Sequence, residues 1–318
     1  MMITPELLHY CSAGLPLLLG AIGGGIGLGI AGRGAHEAME RQGSANPSIF
    51  RSTIIGLTLI EGSAVIALIT TLILLLARHQ QITWELAYAE LGIALAVGIA
   101  AMSVSIASSF VVKAATQAIA RQPLFAQKIL TFMLISQSII EAPVLFAFII
   151  AMIIQSDLQG AINMGESLEL LAAGIAIALG CIGPCIGQAL FSQASCTAIG
   201  MNKNIYNKIF PFALLNQAII ETPVIFCMLF SLITLFSGPD LPPLVDGFKH
   251  LIAAFTIGIG AIGASIGIGY VASRSCYPIA LDPSCYGVVA RTSFLAAVFI
   301  ESSVIYALII ALLLILSV

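Results

Sequence analysis

Four glutamates at a fixed interval are the residues best placed to do chemistry. They are Glu61, Glu141, Glu221 and Glu301, one every 80 residues, in GLTLIEGSAVIALI, SQSIIEAPVLFAFI, NQAIIETPVIFCML and AAVFIESSVIYALI. Each sits inside an apolar run long enough to cross a membrane. A charged side chain at mid-bilayer costs at least about 2.5 kcal/mol on insertion scales. Desolvation disfavours the charged form. Such a carboxyl rests protonated or with a bound cation, and ionises only where water or a fixed positive charge reaches it. It therefore carries one ion. One acid of this kind could be a structural hydrogen-bond partner between helices; four at one spacing point to ion carriage.

The elements that hold these acids follow from composition. The chain has 318 residues, 59% hydrophobic and 8% charged, where soluble domains carry about 25% charged residues. A large soluble helical protein would need polar helix faces, and they are missing. The expected fold is all-α and integral to a membrane, with eight spans near 12–33, 53–77, 88–112, 129–154, 168–195, 209–236, 249–273 and 291–317. Each is long enough for a hydrocarbon core of about 30 Å.

Self-similarity at a fixed period pairs the spans into four tandem hairpins, at 1–82, 83–160, 161–242 and 243–318. The joints between hairpins are ARHQQITWE (77–85), QSDLQGAINMGES (155–167) and SGPDLPPLVDG (237–247), the last read as a turn because of its prolines. MMITPELLHY has no basic region before its apolar run and is unlike a cleaved signal peptide, so the first span is expected to be retained.

Ten of the twelve basic residues fall in or beside the loops within hairpins: Arg33, Arg41, Arg51, Lys113, Arg121, Lys128, Lys203, Lys208, Arg274 and Arg291. Arg78 and Lys249 lie on the other side. The positive-inside rule places the hairpin loops in the cytoplasm and both termini outside. The net charge of −3 selects no partner, and nothing suggests a nucleic-acid surface. The seven cysteines lie mostly within or beside apolar spans and read as small packing residues; Cys181 and Cys185, one helical turn apart, have no His or acid beside them in sequence.

The first helix of each hairpin is rich in small residues. Three columns at the 80-residue period hold Gly20, Ala100, Gly180 and Gly260; Gly23, Ser103, Gly183 and Gly263; and Gly27, Ala107, Gly187 and Gly267. In lipid, helices associate by close backbone approach, which small residues permit. The pattern predicts a tightly packed inner layer of first helices, with the acids on the second helices, about 13 Å into each span.

With these features the chain resembles the proteolipid, or c, subunit of rotary ATPases: a glycine-rich helix, a polar loop, then a helix bearing a carboxylate. In the F-type branch the loop usually reads Arg-Gln-Pro. Arg121-Gln122-Pro123 matches fully and Arg41-Gln42-Gly43 nearly, each arginine twenty residues before its glutamate. Met201-Asn202-Lys203 and Leu281-Asp282-Pro283 depart from it.

The resemblance, over nearly the whole chain, implies a membrane rotor ring made with copies of itself or related proteolipids. It also implies a stator a-type subunit whose arginine helps release each ion, and central-stalk subunits docking on the loops. Arg41, Gln42, Arg121, Gln122 and Pro123 would contact the stalk. A bacterial-type inner membrane is the expected location. The F-type branch fits best; multi-hairpin chains, however, belong to the vacuolar and archaeal branches. The chain would be a non-catalytic, ion-translocating subunit without a cofactor. The glycine runs lack the lysine and hydroxyl of a phosphate-binding loop.

In sodium-binding members a first-helix glutamine and a hydroxyl directly after the glutamate assist the carboxylate. Here those positions hold Leu28, Ser108, Gln188 and Ile268, and Gly62, Ala142, Thr222 and Ser302. Only Gln188, Glu221 and Thr222 resemble a sodium site; hairpin four offers Ser302 and Tyr306. Gln137 and Gln217, one turn before their glutamates, could donate to the carboxyl or bond between helices. Because all sites on a ring pass the same stator, the uneven ligands favour protons, with a sodium-carrying ring as the alternative. Sites in such rings form between adjacent hairpins, so ligands of two repeats can combine. A proton-coupled transporter or channel is a weaker reading: transporters use broken helices and a few distinct polar residues, whereas this chain repeats one acid and has no deep basic residue. A purely structural assembly would not keep four acids.

Overall fold

The computed structural model describes residues 4–77, 81–158, 163–236 and 243–316. They form nine α-helices: α1 (Pro5–Arg41), α2 (Asn46–Leu76), α3 (Trp84–Arg121), α4 (Ala126–Ile140), α5 (Ala142–Asp157), α6 (Met164–Met201), α7 (Tyr206–Phe236), α8 (Pro243–Leu281) and α9 (Tyr286–Leu316). No strand occurs among the described residues. α4 and α5 are one span interrupted at Glu141, with Pro143 in the first turn of α5. Eight spans are long and apolar enough to cross a membrane, and the chain is an integral membrane protein.

Capping residues set where the first helices begin. Thr4, Thr83 and Asn163 each accept a hydrogen bond from the backbone N–H three residues on, and Glu6, Glu85 and Glu166 in the first turns oppose the positive end of the helix dipole. The joints between hairpins are consequently shorter than the sequence suggested. In the third, Pro243–Gly247 opens α8 instead of forming a turn, because proline is well tolerated in the first turn of a helix. Residues 237–242, and Arg78 among the basic residues that set the orientation, lie outside the described residues.

The turns within hairpins are uniform. Gln42, Gln122, Asn202 and Asp282 leave the helix at φ of −132° to −145° and ψ of 68° to 99°, and each donates its N–H to the carbonyl four residues back, at 2.9–3.2 Å. A single 3-10 turn follows, at Gly43–Ala45, Pro123–Phe125, Lys203–Ile205 and Pro283–Cys285. The two loops that depart from Arg-Gln-Pro keep this backbone and add side-chain caps. Asn202 Oδ1 accepts from Asn204 N (3.1 Å), and Asp282 Oδ1 from Ser284 N (2.9 Å) and Ser284 Oγ (2.7 Å).

The helices make two layers. The first helices pack side by side in the order α1–α3–α6–α8, and each second helix lies over the groove between its own first helix and the next one. α9, at the end of the row, covers α8 without a further first helix beside it. The small-residue columns divide the work. Gly20, Gly180 and Gly260 face the second helix of their own hairpin, at Ala67, Cys227 and Ala307. Gly23 and Gly183 face the backbone of the neighbouring first helix: an added Cβ would lie 2.5 Å from Met102 Cα and 2.6 Å from Ile262 Cα. Gly263, next in that column, meets nothing within 4 Å. Neither do Gly25 and Gly29 of α1. The row thus has two open flanks, on α1 and α8, carrying glycines suited to close approach.

Candidate functional site

Each second helix centres on its glutamate. Glu61, Glu221 and Glu301 are the middle residues of 31-residue helices, and Glu141 stands between α4 and α5, of 15 and 16 residues. Each carboxyl is therefore about 22 Å along the axis from either helix end. Among the described residues no hydrogen bond or ion pair engages any of the four carboxyls. Glu141 Oε1 is enclosed without a partner. Glu141, Glu221 and Glu301 are half-buried, whereas Glu61 is exposed.

That difference follows from which side the acids face. Gln137, one turn before Glu141, donates from Nε2 to the Gly56 carbonyl of the preceding hairpin (3.2 Å) and to Ser108 Oγ of its own first helix (2.8 Å). Its face, shared with Glu141, looks across the joint between hairpins one and two. No hairpin lies on that side of hairpin one among the described residues, and Glu61 is left open.

The auxiliary positions are placed as follows. Gln137 and Ser108 bond to each other rather than to Glu141. Gln217 donates to Ser192 Oγ (2.6 Å). Of the two roles open to these glutamines, the structure shows inter-helix bonding. Thr222 and Ser302 donate to the carbonyls of Ala218 (3.2 Å) and Phe299 (2.7 Å), which leaves their oxygen lone pairs free. Tyr306 is exposed. Gln188 is fully buried, and neither of its amide atoms has a hydrogen-bond partner.

A family model for the ATP synthase C subunit matches four times, at residues 11–74, 91–154, 171–234 and 251–314. The chain belongs to the ATP synthase C-subunit family. Similar relatives are about one hairpin long. The ATP synthase c subunit of Geotalea uraniireducens is 40% identical over 77 residues, 24% of this chain and 85% of the relative. Its counterpart in Dehalococcoides mccartyi is 40% identical over 70 residues, 22% of this chain and 92% of the relative. The ATP synthase subunit c 2 of Cereibacter sphaeroides is 40% identical over 73 residues, 23% of this chain and 88% of the relative. This chain is thus a tandem fusion of c-type hairpins.

At the turn end, Arg41 and Arg121 are exposed, and Gln42, Gln122 and Pro123 are half-buried. Neighbouring turns are tied together: Asn202 Nδ2 donates to the Ala280 carbonyl (3.1 Å) and Lys208 Nζ to the Pro283 carbonyl (2.6 Å). At the opposite end lie acids and histidines whose partnership sequence reasoning missed. His9 Nδ1 and Glu90 Oε2 are 2.6 Å apart between α1 and α3, both buried. Glu169 of α6 lies close to Asp246 and His250 of α8. The signal was present in the repeat: His9 and Glu169 share one column, and Glu90 and His250 the next. Imidazole and carboxyl exchange places between the two joints.

Proposed function

We propose that this chain is a rotor-ring subunit of a rotary ATP synthase or ATPase, carrying protons on Glu61, Glu141, Glu221 and Glu301. The observation that carries this reading is the repeated placement of one unpaired carboxyl at the centre of each second helix. A carboxyl with no bound cation is neutral when protonated and crosses lipid at little electrostatic cost. Facing a positive charge on a stator, it ionises and releases its proton. No phosphate-binding motif supports ATP chemistry in this chain, so that chemistry belongs to partners. The turns, with Arg41, Gln42, Arg121, Gln122 and Pro123, are assigned to the central stalk and to the cytoplasmic side of a bacterial-type inner membrane. The open flanks of α1 and α8 support closure by further copies of the chain, with Gly263 of one copy against α1 of the next. In such a ring, hairpin four of one copy completes the site of Glu61 in another.

One observation favours sodium as a second reading. Gln188 holds a buried amide without partners, which costs about 1–3 kcal/mol per unsatisfied group, and it stands in the hairpin of Glu221 and Thr222. A cation there would draw on oxygen ligands. Labelling with a hydrophobic carbodiimide, mapped by mass spectrometry with and without sodium at fixed pH, separates the readings. Labelling at all four glutamates, indifferent to sodium, is expected. Sodium protection at all four would make the ring sodium-driven, and protection at Glu221 alone would make the sites unequal. Absence of labelling would sink the rotor reading.

A further inference from the structure

We propose that Glu169, Asp246 and His250 form a site for a divalent transition cation of the zinc class, clamping α6 to α8 at the end opposite the hairpin turns. The ligand atoms of these three side chains all lie within 4.8 Å of one another. Asp246 and His250 are four residues apart and share one face of α8; Glu169 comes from α6. Asp246, His250 and Glu169 are 1%, 2% and 9% exposed.

Two features distinguish this cluster from a closed acid–base network. First, the imidazole is preset as a ligand. Its Nδ1 lies 2.9 Å from the Asp246 carbonyl; donating there leaves the lone pair on Nε2 available to a metal, the second-sphere arrangement that orients metal-bound histidines. Nε2 itself, and Glu169 Oε1, are buried without hydrogen-bond partners. Second, charge is not balanced locally. Lys249 Nζ approaches Asp246 Oδ1 at 2.8 Å as an ion pair, without the alignment of a hydrogen bond. With a neutral imidazole, two carboxylates face one ammonium. Buried charge in excess calls for a cation.

The joint between α1 and α3 shows the alternative. The same two columns supply His9 and Glu90 there, and they meet directly at 2.6 Å. The position of Asp246 is taken by Leu86, so no third ligand exists. At α6–α8 an added carboxyl accompanies an imidazole and an acid that remain unbonded to each other. One nitrogen and two carboxylate oxygens suit zinc and its neighbours, which use bonds of about 2.0–2.2 Å and accept three protein ligands plus water. The helix backbones are already close at this level: a Cβ on Gly247 would lie 2.7 Å from Gly165 O.

The test uses the full-length protein in detergent, stripped with a chelator and titrated with Zn2+ alone. One tight equivalent per chain is expected, with an X-ray absorption edge showing only nitrogen and oxygen ligands. His250→Gln and Asp246→Asn should each weaken binding at least about ten-fold, and His9→Gln should not. In the unaltered protein, Zn2+ should protect His250 from diethylpyrocarbonate while leaving the exposed His36 reactive; this reading survives if the variants fail to fold. Absence of tight binding would overturn the proposal, as would sulfur among the ligands, or affinity and His250 reactivity indifferent to these changes.

Discussion

The middle of the membrane layer and the end opposite the turns use the same residue types in opposite ways. At the centre, one carboxyl recurs in every hairpin and none is bonded. At the end, acids differ from hairpin to hairpin and are drawn into specific pairs: His9 with Glu90, and Glu169 with Asp246 and His250. The α3–α6 joint instead brings Gly92 against Leu170 and Leu171. Repetition suits a group that must meet the same partner many times. Variation suits groups that each meet one partner once, and such keyed contacts discourage out-of-order pairing of look-alike hairpins.

Breaking the central belt should have the largest effect. On the proposed rotor function, Glu221→Gln removes the ionisable group in one hairpin of every chain and is expected to abolish ion-coupled ATP turnover, leaving less than about a tenth, since the altered site would still have to pass the stator. Coupled transport in reconstituted vesicles measures this; undiminished transport would leave Glu221 without a carrier role. Next in size is the inner packing. Gly183→Leu drives a branched side chain into the α8 backbone at Ile262 and should prevent assembly, seen as loss of the intact complex on native gels, whereas Gly25→Ala, with open space around it within one chain, should leave the single chain folded.

The keyed end should respond more mildly. His9→Leu alone removes the imidazole from its buried pair with Glu90, and breaking a buried pair costs about 3–5 kcal/mol; thermal unfolding in detergent should show it. The double change His9→Leu with Glu90→Leu should recover most of the loss while transport persists. A double variant as weak as the single one would mean the pair is more than a joint.

The smallest effect is expected at Asp282. Hydrogen bonds from the Ser284 hydroxyl and backbone hold its carboxyl below the ordinary carboxylate range. Its contribution is present above the unfolded value of about 3.9 and is lost as pH falls through the lower folded value. Hydrogen exchange at Ser284 should accelerate in Asp282→Ala at neutral pH, because alanine offers no side-chain acceptor, and in the unaltered protein only in strong acid.

Much of this was legible in residues alone. The 80-residue period exposed the four glutamates, and the hairpins followed from span length. The glycine columns announced close packing, but which neighbour each column faces depends on helix rotation, which Gly20 and Gly23 do not reveal by type. Pro243 was misread as a turn because a proline that opens a helix and one that prevents a helix look alike in sequence. Gln137 and Ser108 were seen singly, and their mutual bond needed the helix faces. His9 and Glu90 escaped notice because they stand 81 residues apart, one step off the period, so that no single column holds both.

Covalent linkage of four hairpins has a mechanical consequence. A wheel assembled only from this chain gains or loses teeth four at a time, so its gear ratio moves in coarse steps. A chain with one hairpin per polypeptide can adjust its tooth count singly. On the proposed rotor function, the ratio of ions to revolutions in such a wheel is restricted by the gene itself, and altering it finely would require cutting the peptide at a joint.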